Sequence, residues 1–415
     1  MLENDVDFIG TDGTVKESNI KICHITYSFP PAKGGTETHN HSLVSYLTQK
    51  GYDVDVIVVR DQSESKKEVD EAANTINKNL KVHNIWYSGF PSWVFKVRKK
   101  IKEIEKEGKI DVFDIHLNND IFTFLFHKRT LLHSLHFFEM NCPGPLPERW
   151  PRPCIFSFRK CIKCCGIRNY LEWKFIRWFN LRKVTKFIAK YDYLKNISIK
   201  IGVEKERVSV VPHWIDIERI NRESKGKKAL IKNIKPSDYV FMFFGRLTDE
   251  KGPDLLLDAF YNFTKEKQNT KLVFIGDGTL RKELEKTCEK YNISDKVIFL
   301  GMIPNKELFR YLSLANIIVF PHRYFNYEWA LLEAMCTEKP IIATDMPATS
   351  DILKDNFNAL LAEATSKSLT SKMLTAIENP KLCETLSKNA LKTVKEKHGF
   401  ENLKRYEELI KGLKT

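Results

Sequence analysis

The stretch FFGRLTDEKGPDLLLDAF, residues 243–260, joins the end of an apolar segment to one with helical spacing of Leu and Phe. Residues 243–245 are typical of the end of a buried strand, and a helix is expected to begin near Lys251 and Gly252. Arg246 and Lys251 therefore flank one short loop at the carboxyl end of a strand, where open α/β sheets bind ligands. Two fixed cations beside a helix N-terminus suit a pyrophosphate group. The alternative is a pair of solvated surface charges.

Strands and helices alternate on both sides of this stretch. The strands after it are KLVFIG, KVIFL, NIIVF and PIIAT, and those before it are KICHIT, YDVDVIVV, IDVFDIH, TLLHSLH, VTKFIA and RVSVVP. Apolar strands that alternate with helices predict parallel sheets covered on both faces. The predicted fold class is therefore α/β, with two Rossmann-like domains of similar size.

The domain boundaries follow from a polar, basic stretch between the two alternating halves of the 415 residues. We predict a polar extension over 1–19, an N-terminal domain over 20–216, a linker over 217–236 and a C-terminal domain over 237–395. A last helix, from about Glu401 to Leu413, falls outside the alternation, and the segment that contains it is assigned to 396–415.

Composition and charge narrow the classes of protein. Hydrophobic residues make up 42% and charged residues 29% of the chain, which excludes disordered and fibrous proteins. No apolar run approaches the ~20 residues that cross a bilayer, and the acidic, polar N-terminus lacks the pattern of a signal peptide, so we expect a cytoplasmic protein. The net charge of +14 favours anionic partners: nucleic acid, anionic lipid or phosphorylated substrates.

A second glycine-containing loop, PPAKGGTETH at residues 30–39, follows the first strand and opens a helix. Gly34 and Gly35 let the backbone approach a ligand, and the helix N-terminus offers N–H groups that suit a diphosphate. The spacing is not that of a GxGxxG fingerprint, so nicotinamide binding is not indicated. The alternative is a plain tight turn.

The third segment, FPHRYFNYEWALLEAMCTEKPIIATD, spans residues 320–345. It begins with the end of a strand, continues through a loop and places Glu333 on a short helix. A carboxylate near the carboxyl edge of the sheet can hold the hydroxyl pair of a ribose. The alternative is a glutamate that suits the helix dipole.

Taken in order, GGTETH, VPHWID, GRLTDEKG, FIGDG and LEAMCTEKPIIATD resemble the motifs of the retaining, GT-B fold glycosyltransferases of family 4. The resemblance implies two Rossmann-like domains that face each other across a cleft, with the last helix crossing back to the N-terminal domain. It implies that Arg246 and Lys251 grip the diphosphate of a nucleotide-sugar donor and that Glu333, the second glutamate of the E-x7-E signature, binds the ribose. It also implies that Gly34 and Gly35 lie beside the donor phosphates and that His136 lies where sugar and acceptor meet.

The chain departs from this signature at its first glutamate. That position, eight residues before Glu333, is Phe325. In the family, backbone N–H groups of this loop supply much of the sugar contact, so Phe325 and Asn326 can still bind the donor. Glu328, three residues after Phe325, is the candidate catalytic substitute for the missing carboxylate, and the alternative is that it only caps the helix start.

Five cysteines lie within 24 residues, and four of them, Cys142, Cys154, Cys161 and Cys164, can hold a structural zinc ion tetrahedrally. A second C-x2-C pair is absent, so reduced, partly buried thiols are the alternative. No cofactor is expected for catalysis itself.

Two stretches, residues 92–104 and 169–186, mix Lys and Arg with Trp and Phe. Such helices suit an anionic leaflet, and the alternative is ordinary packing on the sheet. With the net charge they favour a lipid-linked or glycan acceptor at the inner face of the cell membrane, where the protein would be peripheral. Nucleic acid is not the expected partner because no recognised binding motif is present.

The sequence therefore predicts a glycosyltransferase that moves a sugar from a nucleotide sugar to an acceptor with retention of configuration. Two rivals stay open. One is a catalytically weak homologue that acts as a scaffold or binding subunit, which Phe325 motivates. The other is a sugar-nucleotide 2-epimerase, which also has the GT-B fold.

Overall fold

The computed structural model describes residues 20–30, 35–62, 64, 66, 69, 80–87, 92–116, 131–134, 167, 182, 184–200, 202–226, 229–323, 328–346 and 349–413, without the side chains of 131, 133, 134, 306 and 328. The described chain forms two compact units. The first extends to His213 and includes the residues from Glu401 onward, and the second spans Trp214–Phe400.

The first unit is built on a seven-stranded parallel sheet with the order β3-β2-β1-β4-β5-β6-β7. Its strands are β1 (Lys21–Thr26), β2 (Asp53–Arg60), β3 (Leu80–Trp86), β4 (Val112–His116), β5 (Leu131–Ser134), β6 (Lys186–Ala189) and β7 (Val208–Val210). Among its described residues are the helices α1 (Gly35–Gln49), α2 (Ser92–Glu107) and α3 (Asp192–Lys200). All residues of β1 and β4 are buried, as expected for central strands of a parallel sheet.

For the apolar side of helix α2 the structure shows the alternative, which is packing on the sheet. Trp93, Val97 and Ile101 are buried in the hydrophobic core against the sheet, together with Ile104. Packing on the sheet removes this stripe from any external surface. The basic residues of the helix remain on the solvent side, beside Phe95, which is 63% exposed.

The second unit contains a six-stranded parallel sheet with the order β10-β9-β8-β11-β12-β13. Its strands are β8 (Tyr239–Phe244), β9 (Thr270–Ile275), β10 (Val297–Gly301), β11 (Ile317–Phe320), β12 (Ile341–Thr344) and β13 (Leu360–Ala362). Its helices are α4 (Ile217–Ser224), α5 (Pro253–Thr264), α6 (Arg281–Lys290), α7 (Asn305–Leu312), α8 (Glu328–Cys336), α9 (Ser366–Glu378) and α10 (Pro380–Lys397).

The start of the predicted linker is helical. Residues 217–224 form α4 within the second unit because the Asp216 carboxylate accepts the Arg219 N–H at 2.9 Å and Ile220 is fully buried. Although this segment is polar in composition, it contains one buried apolar residue, Ile220, and follows a helix-capping residue, Asp216.

The last helix, α11 (Glu401–Leu413), packs on the first unit. Tyr406 and Ile410 are fully buried, and the Glu407 carboxylate accepts hydrogen bonds from the hydroxyls of Tyr46 and Tyr52 at 2.8 and 3.1 Å. The described part of the chain contains no helix both long and apolar enough to cross a membrane.

Candidate functional site

In each sheet the strand order reverses beside the first strand, between β1 and β4 and between β8 and β11. The loops that follow these strands at their carboxyl ends form the crevice in which open α/β sheets bind ligands. The loop with Arg246 and Lys251 follows β8, and the helix with Gly35 at its start follows β1. The turn that contains Lys251 and the start of α1 at Gly35 therefore lie at topological switch points.

Lys251 is the last residue of a 3₁₀ turn, Asp249–Lys251, directly before α5. Gly252 follows it with a φ of 63°, in the left-handed region. A Cβ at this position would overlap the carbonyl oxygen of Pro321, the residue after β11. Glycine thus brings the turn and the end of β11 together, which places Lys251 at the switch point.

The two predicted cations have different surroundings. Arg246 is exposed and pairs with Glu250 at 3.2 Å, a contact that solvent screens and that costs little to exchange for another anion. Lys251 lies near His322, where burial and the ammonium of Lys251 lower the pKa of that histidine well below its usual value. His322 is therefore neutral at pH 7, and the positive charge at this position belongs to Lys251.

Glu333 is the sixth residue of the nine-residue helix α8. A carboxylate this close to the C-terminal end gains nothing from the helix dipole, so its alternative role in helix stability is disfavoured. Burial raises the pKa of Glu333 to about 7, and Arg219 on α4 partly opposes the rise. The protein holds this carboxyl in an environment that disfavours its charge, as functional sites often do.

At the switch point of the first unit, Arg60 fixes the chain that precedes Gly35. This arginine, which is 1% exposed at the end of β2, donates to the carbonyls of Phe29 at 2.6 Å and Pro30 at 2.5 Å. Asn40 on α1 adds bonds to the Thr26 hydroxyl at 2.8 Å and to the Ser28 carbonyl at 2.7 Å. Nothing in the sequence pattern singled out Arg60, since a lone arginine at a strand end is usually solvated.

The same edge contains a buried polar cluster formed by His24, Asp114, His116 and Tyr406. Three candidate metal-ligand atoms, one each from His24, Asp114 and His116, lie within 4.8 Å of one another. The carboxylate of Asp114, however, already lies within hydrogen-bond distance of the His24 ring at 2.8 Å, the His116 ring at 3.1 Å and the Tyr406 hydroxyl at 2.7 Å. The cluster is therefore a hydrogen-bonded network that joins β1, β4 and α11.

Several predicted site residues lie outside the described residues. These are Gly34, His136, Phe325 and Asn326, together with the cysteines Cys142, Cys154, Cys161 and Cys164. The backbone of Glu328 is described and opens α8, but its side chain is not. Their roles stay predictions.

Two parallel α/β units with loops of this kind at their switch points are the architecture of GT-B proteins, and comparison with known proteins agrees. Residues 225–393 match the family model for glycosyl transferases group 1, and residues 33–219 match that for Glycosyltransferase Family 4. The chain belongs to the group 1 glycosyltransferases of the GT-B fold. This confirms the resemblance and the fold class that the motifs predicted.

The relatives that align with most of the chain have low sequence identity to it. Over 396 residues the chain is 25% identical to an uncharacterized glycosyltransferase of Methanocaldococcus jannaschii. The alignment covers 92% of this chain and 96% of that protein. It is 25% identical over 278 residues to the UDP-Gal:alpha-D-GlcNAc-diphosphoundecaprenol alpha-1,3-galactosyltransferase of Escherichia coli, covering 62% of this chain and 68% of that one. The structure of Anabaena HepE in complex with UDP and glucose aligns with a TM-score of 0.69 at 17% identity, over 95% of this chain and 100% of that chain.

Proposed function

We propose that this protein transfers a sugar from a nucleotide-sugar donor to a lipid-linked or glycan acceptor with retention of configuration. The observation that supports this most directly is the placement of Lys251 at the switch point of the second sheet, where Gly252 packs the turn against Pro321. A cation fixed beside the start of α5 suits a diphosphate and stabilises the charge that develops on it as it leaves.

The donor role extends to two further side chains. Arg246 is exposed and can exchange its contact with Glu250 for a phosphate oxygen. Glu333 supplies a carboxylate for the two ribose hydroxyls, and binding them compensates for its half-buried position. The structure of HepE, one of several structural neighbours, is a complex with UDP and glucose, which supports a nucleotide sugar as the donor of this chain.

The proposed acceptor is lipid-linked or a glycan, and the protein is proposed to be cytoplasmic and peripheral at the inner membrane face. Two relatives support this: the Escherichia coli enzyme acts on a diphosphoundecaprenol-linked sugar, and a Campylobacter jejuni relative, 26% identical over 202 residues, is also named for a diphospho-undecaprenol acceptor. The solvent side of α2 supports it as well, because basic residues there surround the exposed Phe95.

Retention is proposed to proceed with the donor phosphate assisting removal of the acceptor proton. Arg246 and Lys251 stabilise the leaving nucleoside diphosphate, and His136 is the candidate at the junction of sugar and acceptor. Gly34, Phe325 and Asn326 are proposed to contact the donor through backbone N–H groups.

The rival proposal, a catalytically weak scaffold or binding subunit, is motivated by Phe325 in place of the first signature glutamate. A panel of nucleotide sugars incubated with the purified protein separates the two. We expect slow hydrolysis of one donor, releasing free sugar and nucleoside diphosphate. A scaffold would release neither, and that result would reject the enzymatic proposal. A sugar-nucleotide 2-epimerase would instead convert the nucleotide sugar into its epimer.

A structural zinc ion held by Cys142, Cys154, Cys161 and Cys164 is a separate proposal. Four thiolates would bind about one metal per chain. Elemental analysis of protein purified without chelators tests it, and a metal-free preparation would reject it.

A further inference from the structure

Arg323, three residues after the end of β11, contacts the first two residues of the turn that presents Lys251. Its guanidinium donates to the Asp249 carbonyl at 3.0 Å and to the Asp249 carboxylate at 3.2 Å. The backbone N–H of Arg323 donates to the Glu250 carbonyl at 3.1 Å. On the far side of the turn the guanidinium forms a bidentate ion pair with the Asp254 carboxylate, with N–O distances of 2.7 and 2.6 Å. One side chain thus holds the residues before and after Lys251.

The ion pair with Asp254 also changes the charge at the start of α5. Asp254 is in the first turn of this helix, where an anion is favourable for the helix but repels a diphosphate at the same N-terminus. The Arg323 side chain is about three-quarters buried, at 26% exposure, and its planar guanidinium forms two parallel hydrogen bonds to the carboxylate. The pair therefore neutralises Asp254 and fixes the turn by one set of contacts.

We infer that Arg323 is a positioning residue for the donor diphosphate: it orients Lys251 by clamping the Asp249–Lys251 turn and cancels the charge of Asp254. This inference rests on the proposed function, because it needs Lys251 to bind the diphosphate. Arg323 itself touches the turn and not the donor. Its loss should weaken contacts to the phosphates and spare contacts to the nucleoside.

The test compares Arg323→Gln, Lys251→Ala and the double variant in binding to UDP, GDP and ADP and to the matching monophosphates. In Arg323→Gln we expect affinity for the preferred diphosphate to fall on the order of 10-fold, the usual effect of losing a supporting contact. Affinity for the monophosphate should change by less than about threefold, and Arg323→Gln should add little once Lys251 is absent.

One further measurement, with a control variant, makes the outcomes distinct. Hydrogen exchange at the amides of Lys251 and Gly252, which donate to Thr248 and Asp249 at 3.0 Å, should accelerate in Arg323→Gln. They should not accelerate in the control Lys372→Gln, which breaks the ion pair with Asp355 at 3.1 Å elsewhere in the same unit.

If Lys251→Ala weakens diphosphate binding but Arg323→Gln does not, the positioning role is wrong and the donor site stands. Equal losses for diphosphate and monophosphate also overturn the positioning role. If neither variant changes binding, or no nucleotide binds the wild type, the donor site itself is wrong and the inference falls with it.

Discussion

The hydroxyl of Tyr406 donates a 2.7 Å hydrogen bond to Oδ1 of Asp114, although 292 positions separate the two residues in the chain. Both side chains are fully buried. Burial and the neighbouring carboxylate raise the pKa of Tyr406 well above its usual value, so the hydroxyl keeps its proton and acts as the donor. This bond ties the last helix of the chain to a central strand of the first sheet.

Replacing Tyr406 with Phe should weaken this attachment. The substitution removes a donor from a buried carboxylate, which costs ~1–3 kcal/mol. We expect hydrogen exchange of the α11 amides to accelerate by the corresponding factor. The control Tyr261→Phe removes a hydroxyl from a partly exposed ring in the second unit and should leave α11 unchanged. Unaltered α11 protection in Tyr406→Phe would contradict the structural role of the bond.

The acidity of Glu333 gives a prediction about pH. Its pKa of about 7 in the free protein means that ribose hydroxyls, which donate to a carboxylate, bind better as the proton leaves. Affinity for the nucleotide sugar should therefore rise by about tenfold from pH 6 to pH 8, following the ionised fraction. Glu333→Gln should abolish this rise and Glu333→Ala should weaken binding, both measured by calorimetry. A rise that persists in Glu333→Gln would assign it to another group.

Glu328 tests the altered signature. If it replaces the missing glutamate at position 325, Glu328→Gln should reduce turnover and leave binding of the free nucleoside diphosphate unchanged. If it only favours the start of α8, the variant should lose about 0.3–1 kcal/mol of stability and no activity. The control is Glu307→Gln, which removes a carboxylate from the first turn of α7. Turnover, nucleotide affinity and melting temperature on both variants decide between the roles.

The basic face of α2 predicts attachment to anionic membranes. Lys96, Lys99 and Lys102 are exposed beside Phe95. Each basic residue near an anionic surface contributes about 1 kcal/mol, so reversing these three lysines to Glu should weaken binding to phosphatidylglycerol vesicles by at least on the order of 10²-fold. Added salt should weaken the binding of the wild type.

A matched control is available on α10. Lys381, Lys388 and Lys392 are also exposed, and reversing them changes the net charge by the same amount. If this control loses as much vesicle binding as the α2 variant, the attraction comes from overall charge and α2 is not the contact surface.

The sequence predicted most strands of both sheets, because central parallel strands are continuous apolar runs. It also predicted the bounds of the last helix, because the helical pattern of α11 stands apart from the strand–helix alternation. It missed two edge strands. In β3, partly exposed polar residues interrupt the apolar pattern, and β13 has only three residues. Edge strands are buried on fewer sides, so their sequences constrain the prediction less.

At the site, motif order predicted Arg246, Lys251 and Glu333 but not the contacts that hold their loops. Arg323 contacts the turn of Lys251 from as many as 74 positions away, and in the first unit Arg60 contacts the carbonyls of Phe29 and Pro30 from about 30 positions away. Local patterns do not encode such distances. The half-buried position of Glu333 likewise depends on α4 and α10, which pack on α8 and which the sequence does not place beside it.

Turnover of the preferred nucleotide sugar by Arg246→Ala and Lys251→Ala tests the account most directly. Each removes a charge-assisted contact that strengthens as the nucleoside diphosphate leaves, so each should lower the rate on the order of 10²–10³-fold. Circular dichroism and melting temperature should stay close to those of the wild type, because Arg246 is exposed and Lys251 is partly so. Near-normal turnover in both variants would contradict the assignment of this loop as the donor site.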